Sequence, residues 1–175
     1  SALGIKGSIA ARAMCRFRGT AGRMEKITTK GGATVVIDFA HTPDAMKNVI
    51  TAAKQFTPGK VITVFGCGGE RDKGKRAEMG RIACALSDKV IITSDNPRSE
   101  DPGEIIKNIT AEIKVCENRR TEPDRRKAIE LAITSAEKGD TVLILGKGAE
   151  EFITADGKKL PFSDRKTAEN IIIEK

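Results

Sequence analysis

The stretch "KVITVFGCGGERDKGKRAEMGRIACAL", residues 60–86, places an apolar run, a glycine-rich basic loop and a helical pattern in direct succession. The apolar run, residues 60–65, is short and rich in β-branched side chains, which is typical of a strand buried on both faces of a sheet. The pattern of residues 77–86 predicts a helix that begins directly after the loop. This order predicts a strand–loop–helix unit of an α/β fold.

The rest of the chain repeats this alternation. Apolar runs that predict further buried strands cover residues 33–39, 89–93 and 141–146. Helical patterns, each with a capping residue or an early proline, cover residues 44–56, 99–113 and 122–140. Because strands and helices alternate, we predict an α/β fold with a Rossmann-like, mostly parallel sheet flanked by helices.

The two ends of the chain differ from this middle part. Residues 152–162, "FITADGKKLPF", predict a small C-terminal hairpin around Asp156 and Gly157, and Ser163 or Asp164 is expected to cap a last helix. Residues 1–24 do not fit the alternation, and "FRGTAGR" within them has the character of a connector. The first residue is serine instead of methionine, so we expect a processed or cloned fragment.

The composition predicts a soluble globular domain. The 175 residues are 39% hydrophobic and 31% charged, and no apolar stretch approaches the ~20 residues of a membrane span. The start of the chain lacks the apolar stretch of a signal peptide, so we expect a cytoplasmic protein without a membrane partner. The four cysteines show no metal-ligand spacing, which predicts reduced thiols and no metal site: Cys15, Cys67, Cys84 and Cys116.

The net charge of +7 raises the question of a nucleic-acid partner. Aromatic residues make up only 3% of the chain, with no Trp or Tyr to stack on bases. The basic residues are also spread along the chain without a basic helix or tail. These features give little support to a base-stacking surface and favour non-specific basicity, or small anionic ligands, over a nucleic-acid partner.

The basic loop resembles a phosphate-binding P-loop but departs from it at one residue. Gly69 is followed by four residues and then by Gly74 and Lys75, as a P-loop requires. The next position needs Ser or Thr, because that hydroxyl binds magnesium, and here it is Arg76. The loop is therefore predicted to serve another ligand.

Four polar loops follow the four predicted strands: residues 38–44, 66–76, 93–98 and 146–151. In an open parallel sheet, ligands bind beyond the carboxyl ends of the strands, so these loops are expected to form one site. Both signs of charge occur in them, from residues such as Arg71, Arg98, Asp95 and Glu150. A pocket with both signs suits a zwitterion, because guanidinium groups bind carboxylates while acids bind ammonium groups.

The motifs in these loops resemble those of the Mur ligase family. They occur in the family's order and spacing from about residue 20 onward: "GRME" (22–25), "DFAHTPDAM" (38–46), "FGCGGERDKGKRAEMG" (65–80), "SDNPR" (94–98), "GKGAEE" (146–151) and "SDR" (163–165). The resemblance is to the C-terminal domain, and to the members that add the third residue to UDP-N-acetylmuramoyl-L-alanyl-D-glutamate (UDP-MurNAc-dipeptide) in peptidoglycan synthesis.

The resemblance implies an ATP-dependent amide ligase whose incoming amino acid is meso-diaminopimelate. The residues implied to bind that amino acid are Arg71, Asp95, Asn96, Arg98, Gly146 and Glu150. Arg98 would bind the distal carboxylate that L-lysine lacks. The residues implied to contact the nucleotide are Arg23, Asp38 and His41. Two positions depart from common family residues, Phe39 for a tyrosine and Ala149 for a histidine.

The resemblance also implies a division of the chain. Residues 1–24 would be the tail of a central ATPase domain and the hinge, and residues 25–175 the C-terminal domain. ATP and magnesium would be the cofactors, with the metal ligands mainly in the central domain, and UDP-MurNAc-dipeptide would bind through domains missing here. We therefore expect no catalytic residue in this chain and no ligase activity from it alone. An L-lysine-adding relative and a free-standing amino-acid or nucleotide-binding module remain alternatives.

Overall fold

The computed structural model describes residues 4–16, 19–113 and 116–174. These residues form six helices and eight strands. In chain order they are α1 (Gly7–Arg16), β1 (Glu25–Thr28), β2 (Thr34–Asp38), α2 (Pro43–Phe56), β3 (Val61–Phe65), α3 (Gly74–Leu86), β4 (Lys89–Ile92), α4 (Pro102–Thr110), β5 (Arg119–Thr121), α5 (Arg125–Thr134), β6 (Thr141–Leu145), β7 (Phe152–Ala155), β8 (Lys158–Pro161) and α6 (Asp164–Ile173).

Six strands form the main sheet in the order β1-β2-β6-β3-β4-β5. Strand β1 is antiparallel to β2, and all other pairs in this sheet are parallel. The prediction of a Rossmann-like, mostly parallel sheet flanked by helices is therefore confirmed. Strands β1 and β5 at the two edges are additions that the sequence patterns did not predict.

Two hydrophobic cores cover the two faces of this sheet. Successive side chains of a strand point to opposite faces, so Val35 and Ile37 join one core while Val36 joins the other. Helices α2, α3 and α4 pack on the face of Val36, and α5 and α6 pack on the opposite face. Burial on both sides explains why β2, β3, β4 and β6 are continuous apolar runs.

Capping residues begin several helices, and three predicted helix ranges need correction. Thr42, Asp101 and Ser163 cap α2, α4 and α6 through side-chain oxygens that accept backbone N–H groups. Helix α4 covers only Pro102–Thr110 of the predicted range 99–113. Helix α5 is capped by Asp124 and ends at Thr134, so the predicted range 122–140 was too long at both ends. Helix α3 begins at Gly74 inside the basic loop, three residues earlier than predicted.

The C-terminal hairpin of β7 and β8 is confirmed. Asp156 and Gly157 have φ angles of 47° and 71°, as a two-residue hairpin turn requires. The N-terminal helix α1 buries none of its residues. Within the described ranges, no helix combines the length and the apolar character needed to cross a bilayer.

The prediction of four reduced cysteines is wrong for two of them in this structure. Cys84 of α3 and Cys116, which precedes β5, form a disulfide with a Cα–Cα distance of 5.9 Å. The two residues are separated by 32 positions, so their proximity depends on how α3 and the segment before β5 pack. Cys15 is free and exposed, and Cys67 is free and buried.

Candidate functional site

A cavity of about 250 Å³ lies at the carboxyl edge of the parallel strands. All four predicted strand exits contribute side chains to it. Backbone hydrogen bonds join neighbouring exits, since Gly146 N donates to Asp38 O and Thr93 N donates to Phe65 O. The strand-end loops therefore meet in one site.

The structure brings together all six residues predicted to bind the amino acid. The cavity is lined by Arg71, Asp95, Asn96, Arg98, Gly146 and Glu150. His41, predicted to lie near the nucleotide, also lines this cavity. Arg23 lines a neighbouring cavity with Phe39 and Glu150, and Asp38 is buried beside the end of β2. The site therefore places positive and negative side chains around the same volume.

The glycines of the basic loop allow two loops to approach closely. A Cβ atom on Gly66 would lie 2.3 Å from Thr93 O, and one on Gly69 would lie 1.9 Å from Pro97 O. Either contact would be a severe clash. Gly69 N also donates to Asn96 O at 2.9 Å. These glycines hold the basic loop against the segment 93–98.

Arg98 has a backbone conformation that few side chains adopt. Its φ angle is 55°, in the left-handed region, where non-glycine residues are uncommon. The hairpin holds it there, because Arg98 N donates to Thr154 O and Asp156 N donates to Arg98 O. Its Nη1 atom donates to Gly69 O at 2.6 Å and to Asn96 O at 3.4 Å. A strained backbone conformation that the surrounding structure holds in place is common at functional sites.

A buried lysine orients the polar groups on the other wall of the cavity. Lys147 is fully buried, and its Nζ donates to Asn96 Oδ1 at 3.0 Å and to Glu150 Oε2 at 2.9 Å. Asn96 Oδ1 also accepts from Thr154 N, and Asn96 Nδ2 donates to Glu150 Oε2. Partial burial works to raise the pKa of Glu150, but the hydrogen bonds from Lys147 and Asn96 outweigh it and lower the pKa.

Of the side chains predicted to contact a nucleotide, His41 lines this cavity, and Arg23 and Asp38 lie beside it. Both carboxylate oxygens of Asp38 accept backbone N–H groups, from Met24 and from Ala40, each at 2.8 Å. The Arg23 guanidinium lies 4.6 Å from the centre of the Phe39 ring. His41 Nδ1 lies 2.8 Å from Phe39 O. Asp38 thus links the segment before β1 to the end of β2.

The sequence matches a known family across this whole arrangement. Residues 22–148 match the family described as "Mur ligase, glutamate ligase domain". The chain belongs to the Mur ligase family. The matched region is the C-terminal domain of these ligases, as the loop motifs predicted.

Two curated relatives of this Mur ligase domain and one solved structure carry the same name. UDP-N-acetylmuramoyl-L-alanyl-D-glutamate–2,6-diaminopimelate ligase of Synechococcus sp. (strain WH7803) is 48% identical over 165 residues, which cover 91% of this chain and 33% of the relative. The ligase of the same name from Thermosynechococcus vestitus is 45% identical over 177 residues, covering 100% of this chain and 36% of the relative. A solved structure of a ligase of that name has a TM-score of 0.85 and 34% identity, covering 99% of this chain and 36% of the other. The chain spans about a third of the length of these relatives.

Five cavity residues of the Mur ligase domain were not assigned to a ligand from the sequence: Phe39, Gly66, Cys67, Gly68 and Lys75. Lys75 Nζ donates to His41 O at 2.9 Å, which joins the basic loop to the end of β2. Burial raises the pKa of the Cys67 thiol to about 12. Phe39 and Cys67 lie within two residues of the ends of β2 and β3, which was the available signal, whereas Lys75 lies in the first turn of α3. A position after a strand does not alone predict which side chain points towards the cavity.

Proposed function

We propose that this chain is the amino-acid-binding domain of an ATP-dependent ligase that adds meso-diaminopimelate to UDP-MurNAc-dipeptide in peptidoglycan synthesis. The observation that carries the proposal is the single cavity shared by Arg71, Arg98, Asp95 and Glu150. The names of relatives that are 45–48% identical support the same substrate. Since the chain spans about a third of those relatives, the proposal concerns its part in the complete enzyme.

The chemistry of the ligand matches the charges of the cavity. Meso-diaminopimelate carries two carboxylates and two amino groups. Arg71 and Arg98 would bind carboxylates, for which the planar guanidinium is well suited. Asp95 and Glu150 would accept hydrogen bonds from the amino groups, and the lowered pKa of Glu150 keeps its carboxylate ionised near neutral pH. Arg98 would select this substrate over L-lysine, because only the former has a distal carboxylate.

The domain would orient the amine for ligation. In the proposed reaction, ATP transfers its γ-phosphoryl group to the carboxylate of the dipeptide, the amine attacks the acyl phosphate, and inorganic phosphate leaves. Holding the amino acid in one orientation makes the attack effectively intramolecular. The described residues contain no group of three His, Cys, Asp or Glu side chains that could hold a metal ion, so we assign no step to magnesium in this chain.

A second set of residues would act on the nucleotide when the enzyme closes. Arg23 is exposed and lies just before β1, so a domain movement could bring its guanidinium to the ATP phosphates. Asp38 and His41 would contact the nucleotide from the end of β2. We further propose that residues 1–24 belong to the central ATPase domain and hinge, that the chain acts in the cytoplasm, and that alone it forms no product.

A titration followed by amide NMR tests the amino-acid proposal. Meso-diaminopimelate and L-lysine are added separately to the 175-residue chain and to its Arg98→Ala variant, with Arg81→Ala on the exposed side of α3 as control. We expect shifts at Arg71, Asn96 and Glu150 with meso-diaminopimelate only, lost in Arg98→Ala and kept in Arg81→Ala. Equal shifts with L-lysine would favour a lysine-adding relative. No shifts with either ligand would contradict amino-acid selection by this domain.

A further inference from the structure

Arg76 is a buried arginine that does not line the cavity. Its side chain is 1% exposed, although it occupies the first turn of α3 at the end of the basic loop. A buried guanidinium is costly unless its N–H groups find acceptors, and among the described residues Nε of Arg76 finds none. Both terminal nitrogens are bonded: Nη1 donates to Glu100 Oε2 and Asn108 Oδ1 at 2.9 Å each, and Nη2 donates to Glu100 Oε1 at 3.0 Å and Gly68 O at 3.2 Å.

These bonds join three separate segments of the chain. Gly68 belongs to the basic loop, Glu100 follows the segment 94–98, and Asn108 belongs to α4. The planar fork of arginine binds both oxygens of the carboxylate and two further acceptors at once. A lysine at this position has a single nitrogen and could not reproduce the geometry.

Glu100 extends the connection back to the basic loop. Its Oε1 accepts from Glu70 N at 2.5 Å, and Glu70 has a φ angle of 53° in the left-handed region. Gly68, Gly69 and Glu70 are therefore bound in succession by Arg76, Arg98 and Glu100. Arg71, which lines the cavity, is the next residue. The backbone from which Arg71 projects is thus fixed relative to Arg98.

We infer that Arg76 is a positioning residue for amino-acid recognition, which acts through Glu100 to fix Arg71 and Arg98 at the spacing that a two-carboxylate substrate requires. The inference rests on the proposed function in so far as meso-diaminopimelate is the ligand. Its structural part, the ordering of Glu70 and Arg71 by Arg76 and Glu100, holds without any ligand and is measured separately.

The first measurement is amide hydrogen exchange in the ligand-free chain. We expect Arg76→Met to increase the rate of amide exchange at Glu70 at least about tenfold, while the amides of β6 keep their protection. The control Arg81→Met should change the exchange rate neither at Glu70 nor in β6. Arg76→Lys is expected to restore part of the protection of the Glu70 amide. If Arg76 only filled space, the positive charge of lysine would not be needed for that protection. Unchanged exchange at Glu70 in a folded Arg76→Met chain would overturn the inference. If Arg76→Met does not fold, Glu100→Gln provides the same test with Arg76 retained.

The second measurement compares dissociation constants for meso-diaminopimelate and L-lysine. We expect Arg76→Met to weaken binding of meso-diaminopimelate about tenfold or more, because misplacing one guanidinium loses a charge-assisted hydrogen bond to a carboxylate. Binding of L-lysine should change far less, so the preference between the two ligands falls. An equal loss for both ligands would indicate a general structural role and overturn the inference. If the unaltered chain binds neither ligand, the proposed function fails while the exchange experiment still decides the role of Arg76.

Discussion

Arg125 and Asp164 form a bidentate ion pair with both side chains fully buried, since Nε–Oδ1 and Nη2–Oδ2 are each 2.7 Å apart. The same guanidinium donates to Ser94 O and to Leu145 O. The pair therefore joins the first residues of α5 and α6 to the exits of β4 and β6. These exits contribute Asp95, Asn96 and Gly146 to the cavity, so the ion pair supports two of its walls.

Replacing Asp164 should destabilise the fold strongly. Asp164→Ala leaves a buried guanidinium without its counter-charge, and breaking a buried pair in this way costs about 3–5 kcal/mol. We expect a loss of this size in the free energy of unfolding measured with urea. Glu169→Gln removes one of the two carboxylate partners of Arg165 on the exposed side of the same helix and should cost less than about 1 kcal/mol. Equal losses in the two variants would contradict the assigned role of the buried pair.

Lys147→Met should disturb Glu150 and Asn96 together. The substitution removes the ammonium that donates to both side chains and leaves a buried amide oxygen with one donor fewer. We expect a loss of about 1–3 kcal/mol in unfolding free energy. The pKa of Glu150 should rise, because one of the two hydrogen bonds that lower it is gone.

The carboxyl carbon shift of Glu150 against pH reports its pKa. Lys166→Met is the control, because the bridge from Lys166 to Glu151 is exposed on both sides. That variant should leave the Glu150 titration and the stability nearly unchanged. An unaltered Glu150 midpoint in Lys147→Met would show that Lys147 does not set the charge of this residue.

Gly146→Ala should damage the cavity more than the backbone strain alone explains. Gly146 has a φ angle of 115°, and a Cβ atom there would lie 2.5 Å from Asp95 Oδ2. Strain of this kind costs about 1–3 kcal/mol, and the clash also displaces the Asp95 carboxylate. Gly157→Ala provides a matched control, since Gly157 has a φ angle of 71° but nothing lies within 4 Å of its Cβ position. We expect calorimetry to detect binding of meso-diaminopimelate by Gly157→Ala only; binding by both variants would contradict this account.

The strands that were predicted correctly from the sequence are those whose own side chains determine their structure. Strands β2, β3, β4 and β6 are apolar because both of their faces are buried, so their composition identifies them. Strands β1 and β5, "EKIT" and "RRT", are short and polar. They are strands because a neighbouring strand offers backbone hydrogen bonds at the edge of the sheet. A sequence of three or four residues does not indicate that such a neighbour is present.

The same distinction holds for the site. The rule that ligands bind beyond the carboxyl ends of parallel strands predicted which loops meet. It did not predict that Arg76 and Lys147 are buried, because charged residues are mostly exposed and their partners are distant in sequence. The resemblance to Mur ligases supplied the six amino-acid-binding residues, and the structure brings these into one cavity while their roles remain predictions.

Acidification should release the basic loop at an unusually low pH. Hydrogen bonds from Arg76 and from the backbone of Glu70 lower the pKa of Glu100 from 4.5 to about 2. Because the folded pKa lies below the unfolded one, the stabilising contribution of Glu100 is complete above about pH 4.5 and is lost as the pH falls towards 2. The carboxyl carbon shift of Glu100 should therefore titrate near pH 2, and Arg76→Met should move the midpoint towards 4.5. A midpoint near 4.5 in the unaltered chain would contradict the bidentate ion pair of Arg76 and Glu100.

The four cysteines should react with iodoacetamide in three classes. In the native, unreduced chain only Cys15 should be labelled, because Cys67 is buried with a pKa of about 12. Unfolding without reductant should expose Cys67, and reduction should expose Cys84 and Cys116.

The disulfide spans 32 residues, so reducing it should lower the free energy of unfolding by about 2–4 kcal/mol, an effect absent in the Cys84→Ser/Cys116→Ser control. A cytosolic glutathione pool keeps most thiols reduced, so the contribution of the disulfide to the free energy of unfolding is expected only in oxidised protein. Labelling of all four cysteines in unfolded, unreduced protein would rule the disulfide out.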